Sequence, residues 1–262
     1  MSVSTDSRIP GGHSAPRGDP GPQGQLPPRG VVSTPGLAST ALAALTTVRD
    51  PELDTPITAL GFVASCTVSR EGRAVVRLRL PTFYCAPNFS YLMAADAYDA
   101  VIAVPGITAA EVILEDHFAS DEINAGVAAQ AGFVASFDGE ATSELGDLRA
   151  QFLRKAVMAG THQVCRPLVD AGVSPAELVA LTLGAVPASP ELDRLRQRRG
   201  ELGLPVGDDA PLLLDPATGE RILEPGVPLH LRRARVTQAS IEANTSICSG
   251  MFKTRYPDGW TV

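Results

Sequence analysis

The sequence predicts an α/β chain of the α+β kind: a small helix-strand-strand-helix-strand domain followed by a mainly helical region with a C-terminal hairpin. Three observations predict it. Apolar positions alternate with polar ones in "RAVVRLRLP" (73–81), and a similar run, "LGFVASCTVS" (60–69), precedes it across Arg70-Glu71-Gly72. Such period-2 runs mark strands with one wet face, and the short break between them marks a hairpin. Residues 88–104 instead space Leu92, Ala95, Tyr98 and Val101 as a helix does, and helical spacing returns from Leu145 to about Gly200.

In chain order, residues 1–36 are rich in Gly and Pro and offer little to bury, so ordering them is uncompensated and a disordered tail is expected. The α/β domain follows over 37–120. It opens with a short helix carrying Leu37, Leu42 and Leu45, ended at Asp50-Pro51 because the residue before proline avoids the helical region. Next come the hairpin and the helix from 88, with Asn88 or Ser90 as candidate N-caps, stopped by Pro105-Gly106. A third strand is expected at 110–116. The C-terminal region, 121–262, has a capped helix start at "SPAEL" (174–178), a hairpin turn in "PLLLDPATGERIL" (211–223), and an extended tail through "VPLHLRRARV".

With 44% hydrophobic and 19% charged residues the chain has the make-up of a globular protein, and 262 residues suffice for more than one core. A net charge of −7 argues against a nucleic-acid partner, since phosphate binding needs clustered Lys and Arg. The basic run "RLRQRRG" (194–200) is interleaved with leucines and reads as the solvated face of a helix. No apolar run approaches the roughly 20 residues of a membrane helix, and the N-terminus lacks an apolar leader, so a cytoplasmic protein without membrane association is expected. Cys66, Cys85, Cys165 and Cys248 are widely spaced, as free thiols of a reducing compartment rather than a closed zinc site.

Three short motifs fall at the ends of these elements, where a rigid scaffold positions functional side chains. Asp50-Pro51-Glu52 is a turn former whose carboxylates can hold a hard cation or fix the thiol loop. Cys85 sits between a strand and a helix start, where unpaired N–H groups and the helix dipole favour an anion; a thiol there is a better ligand or nucleophile than an ordinary buried cysteine. Glu115-Asp116-His117 offers carboxylate and imidazole together. Cys248, in "NTSICSGMF", is a second thiol if the fold brings it round, whereas Cys66 and Cys165 read as core.

Taken in order, "VRDPELDTPITALGFV", the hairpin, "LPTFYCAPN", a helix and "VPGITAAEVIL" resemble the iron-sulfur cluster assembly family that includes PaaD and the SufT-type maturation factors, over residues 38–118. Asp50-Pro51-Glu52 matches its Asp-Pro-Glu signature, and Thr82 and Cys85 match its threonine-then-cysteine loop, with two residues between them where three are common. The resemblance implies a non-catalytic factor that matures a client metalloenzyme, a multicomponent bacterial oxygenase being one candidate client. It assigns Cys85, Thr82, Asp50 and Glu52 to the cargo site, and iron or an iron-sulfur cluster as transient cargo. A cluster usually takes about four ligands, mostly thiolates, which one Cys85 cannot supply. Two subunits of a homodimer can share it, Cys248 or His117 can complete the site, or Cys85 can act together with a client. The alternative is a metal-free interaction scaffold or accessory subunit of an oxygenase complex. A thiol enzyme with Cys85 as nucleophile and His117 as base lacks an identifiable third group to orient the imidazole.

Overall fold

A hairpin whose second strand turns Arg73, Arg77 and Arg79 outward and Ala74, Val76 and Leu78 inward forms the centre of the first layer. In the computed structural model, which describes residues 35–137, 141 and 143–257, the chain opens with α1 (Pro35–Ala44) and a 3-10 turn at Leu45–Thr47. All but the last two residues of the expected tail, 1–36, lie outside the described residues. The first helix ends several residues before Asp50. The Thr46 and Thr47 hydroxyls bond back to the Ala43 and Ala44 carbonyls, and Val48 turns extended. Asp50 instead enters a two-residue ladder, β1 (Arg49–Asp50) against β2 (Thr55–Pro56).

Strands β3 (Val63–Val68) and β4 (Arg73–Arg79) pair antiparallel, and β4 pairs parallel with β5 (Ala109–Glu115), giving the order β3-β4-β5. On β4, Ala74, Val76 and Leu78 are buried while Arg73, Arg77 and Arg79 face solvent, as the period-2 pattern requires. The crossover from β4 to β5 is α2 (Pro87–Ile102), whose Ala94, Ala97 and Val101 are fully buried. Its N-cap is Ala86 with Pro87 at the first position, not Asn88 or Ser90. Proline needs no N–H partner there, and the Ser90 hydroxyl is already spent on the Ala86 carbonyl. Gly72, at φ +81°, closes the hairpin so near the Gly106 carbonyl that a Cβ would collide with it.

Beyond the sheet come α3 (Ser120–Ala129), the short α4 (Phe133–Ser136), α5 (Gly146–Asp170), α6 (Pro175–Ala180), α7 (Pro190–Glu201) and α8 (Val227–Arg255). The "SPAEL" start is a complete capping box, Ser174 with Glu177. Two hydrophobic clusters result, one around the sheet with α1 to α3 and one among α5 to α7, the 210–213 segment and Val227.

The segment 211–223 makes the expected hairpin turn, at Asp215–Gly219, closed by an antiparallel bridge of Leu214 to Arg221. Two expectations are corrected. The tail after that turn is a 29-residue helix rather than extended chain. Val227, Leu229 and Leu231 alternate like a strand, but the residues that go inward are Val227, His230, Ala234 and Gln238, at helical spacing. The basic run is likewise only in part a solvated face: Arg198 and Arg199 are 2% and 0% exposed. They lie on the same side of α7 as Leu192 and Leu195, and each is paid for by specific partners, Asp54 and Glu201 for Arg198 and the Pro211 and Leu212 carbonyls for Arg199. Among the described residues, no helix is long and apolar enough to cross a membrane.

Candidate functional site

The site is built where β4 ends and α2 begins. Residues 81–86 leave the strand edge, and Ala86 starts the helix, so Cys85 lies at the corner between them. Thr82 Oγ1 is 3.3 Å from Cys85 Sγ, an O–H and S–H pair in which either atom can donate. The thiol is half-buried, within reach of solvent.

His117 holds the corner from below. The Ala119 N–H donates to its Nδ1 at 3.1 Å, so Nδ1 is unprotonated, and Nε2–H donates to the Cys85 carbonyl at 2.7 Å. Ser90 Oγ lies 3.3 Å from the same Nε2. Burial lowers the imidazole's pKa, the Cys85 carbonyl works against that, and the Arg255 charge adds to it. With both nitrogens engaged, the ring positions the thiol's backbone rather than facing its sulfur. The other two members of the Glu115-Asp116-His117 motif are also taken by protein partners. Glu115 accepts from Arg77 and Arg79, both at 2.8 Å, and Asp116 from Arg255 and Tyr256.

The Asp-Pro-Glu loop is a built turn. Asp50 Oδ1 accepts the N–H groups of Glu52 and Leu53, both at 2.9 Å. Burial nevertheless pushes the Asp50 carboxyl up to about 6, against those two N–H groups and with a small push from Glu52. Glu52 accepts from Asn244 Nδ2 at 3.2 Å, and Asp54 is paired to Arg198 at 2.6 Å.

Helix α8 brings the remaining candidate to this corner. On one side of it, Asn244 reaches Glu52, the Phe252 ring lies 5.5 Å from Phe62, and Arg255 donates to the Leu80 and Asp116 carbonyls. Cys248 falls between Asn244 and Phe252 on that side and packs against the same core as Cys85. Its thiol is pushed up to about 11, first by burial and then by the neighbouring Asp50, Cys85 and Glu52. Cys66 packs against the same core, and Cys165 is buried, its thiol raised to about 12 by burial.

The structure therefore places Thr82, Cys85 and His117 in direct contact, sets Cys248 and the Asp50-Glu52 loop beside them, and ties the loop to α7 and α8. Sequence reasoning missed Ser90, Asn244, Arg198 and Arg255 as its supports. A signal existed for Arg198, which follows Leu192 and Leu195 at helical spacing. None existed for Asn244 and Arg255, because their partners lie 192 and 175 residues away. Among the described residues, no three His, Cys, Asp or Glu side chains converge as a metal-binding group.

A family model described as "Iron-sulfur cluster assembly protein" matches residues 39–113, the span from α1 into β5 that carries both the Asp-Pro-Glu turn and the Cys85 corner. An uncharacterized protein of Methanocaldococcus jannaschii, MJ1129, is 32% identical over 83 residues, which cover 85% of that protein and 32% of this chain. The chain belongs to the iron-sulfur cluster assembly family. A crystal structure of a domain of unknown function, DUF59, from Bacillus anthracis aligns with 24% identity over 37% of this chain and 92% of that one, with a TM-score of 0.29. Within the assembly-family domain, Asp50, Glu52, Thr82 and Cys85 all lie inside the matched residues, whereas His117 and Cys248 lie outside them.

Proposed function

We propose that this protein is a non-catalytic maturation factor that carries iron or an iron-sulfur cluster transiently on Cys85 and passes it to a client metalloenzyme. The observation that carries the reading is the half-buried Cys85 thiol, held against Thr82 at a strand-to-helix corner within the assembly-family match. A cargo thiol has to be fixed yet reachable. His117 and the Phe118 N–H, which donates to the Phe83 carbonyl, anchor the corner's backbone, and the sulfur keeps access to solvent. Beside it, Phe83, Tyr84 and Phe118 are 41%, 77% and 49% exposed and pack on one another with centroids 5.0 to 6.3 Å apart. An exposed aromatic cluster next to a cargo thiol suits the docking of a client polypeptide. An oxygenase with an iron centre is the client class suggested by the likeness to PaaD.

The test is anaerobic reconstitution of the full chain with Fe(II) and sulfide, followed by transfer to an apo-ferredoxin acceptor. Wild type is expected to take up iron and sulfide and convert the acceptor, and Cys85→Ser to lose about tenfold in both. Equal uptake and transfer by Cys85→Ser would overturn the reading.

A further inference from the structure

The C-terminal helix does more than pack. Asn244, Cys248, Phe252 and Arg255 lie within about 80° of arc on α8 at 100° per residue. Three of the four touch the assembly-type domain at known points: Glu52, Phe62 and the Leu80 carbonyl. Leu80 begins the loop that carries Thr82 and Cys85, and Glu52 belongs to the turn closed by Asp50. Cys248 therefore lies on the side of α8 that meets the Asp50-Glu52 turn and the loop of Cys85, and both cysteines pack on one core and are half-buried.

We propose that Cys248 is a second cargo thiol, forming with Cys85 a two-sulfur seat for a thiophilic cation across the seam between the thiol corner and α8. This rests on Cys85 being the cargo thiol and names its partner. The electrostatics of the seam agree. Asp50, Cys85 and Glu52 all stand near enough to disfavour negative charge on the Cys248 sulfur. A bound divalent cation reverses that penalty and stabilises both thiolates. Each S–H gives its proton to solvent as the sulfur binds, so two protons leave per cation and no electron moves. With no third protein ligand converging among the described residues, the remaining coordination positions are open to sulfide, water or a client thiolate, as handing on the cargo requires.

The experiment is an anaerobic titration of the full chain with Co(II), read by thiolate-to-cobalt charge-transfer absorption and by proton release. Wild type is expected to bind one ion with about two protons released. Cys85→Ser and Cys248→Ser should each show about half the band and about tenfold weaker binding, and the double variant no band. If Cys248→Ser keeps the full band and affinity while Cys85→Ser loses them, the second thiol is refuted and Cys85 alone is the cargo site. If Cys85→Ser matches wild type, or if wild type shows no band, the cargo reading falls and this inference with it. Alkylation of Cys248 in the unaltered chain removes any dependence on variant folding: Co(II) should slow it at least about tenfold, and an unchanged rate refutes the seat.

Discussion

The imidazole of His117 meets a backbone donor on one nitrogen and a backbone acceptor on the other, so the neutral Nε2–H tautomer is the form that fits. His117→Ala leaves the Cys85 carbonyl and the Ala119 N–H without these partners in a buried place, each orphaned group costing about 1–3 kcal/mol. We expect a loss of about 3 kcal/mol in urea unfolding at pH 7; a change below about 0.5 kcal/mol would show that the ring is not holding the corner. Asp50 presents the opposite case. Its carboxyl is pushed up to about 6 by burial, so its charge is a burden at pH 7, yet its acceptor role needs only one oxygen. Asp50→Asn keeps that oxygen and should be more stable than wild type at pH 7 by on the order of 1 kcal/mol, since a pKa unit corresponds to about 1.4 kcal/mol. If the family carboxylate serves the cargo, the same variant should transfer iron poorly, and a stable variant with full transfer would leave Asp50 a turn former only.

At the scale of elements, the extension grips the signature turn from α7 and from α8. Arg198 on α7 is buried between Asp54 and Glu201, both at 2.6 Å, and breaking a buried ion pair by removing one partner costs about 3–5 kcal/mol. Arg198→Met should therefore cost about 3 kcal/mol and loosen the 50–54 turn. Faster amide hydrogen exchange at Leu53 and Asp54 is the measurement, and unchanged exchange there would mean the turn is held locally. The elements that were legible from sequence are those whose pattern is set by their own burial. The β4 alternation, the α2 stripe and the Ser174–Glu177 cap belong to this class, each agreeing in local propensity and tertiary place. The basic run and α8 were misread for one reason: polar residues stand on their inward faces. Arg198, Arg199, His230 and Gln238 are buried through partners far along the chain, and hydrophobic periodicity does not register them. The site followed the same division. Thr82, Cys85 and the Asp-Pro-Glu turn are local in sequence and could be read, whereas the arrival of Cys248 depends on the course of a helix that sequence reading took for extended chain.

For the whole molecule, α8 is the connecting member. It starts on the helical core at Val227 and ends against the sheet core at Phe252, and its 29 residues span about 43 Å. The molecule's response to pH is likewise collective. His117, His162 and His230 all have lowered pKa values, first through burial, so the folded state holds them neutral while the unfolded chain takes up protons below about 6.5. The unfolded state then binds more protons, and stability falls as pH drops from 7 towards 5. Asp50 acts in the reverse sense, because its raised folded value favours the folded state as pH falls through about 6 towards 3.8. Unfolding midpoints should therefore decline between pH 7 and 5, less steeply in His117→Ala and more steeply in Asp50→Asn. A flat profile in Asp50→Asn, which lacks the opposing carboxyl, would contradict the histidine burial.

The Arg255 clamp on the Leu80 and Asp116 carbonyls also sets an order in time. The strand end that carries Leu80 is synthesised 175 residues before Arg255, an interval of about ten to forty seconds at typical elongation rates. Through that interval the loop that leads to Thr82 and Cys85 lacks the Arg255 donor that later holds its first carbonyl. The thiol loop therefore reaches its final anchoring only after α8 has been made, among the last steps in the assembly of the described fold.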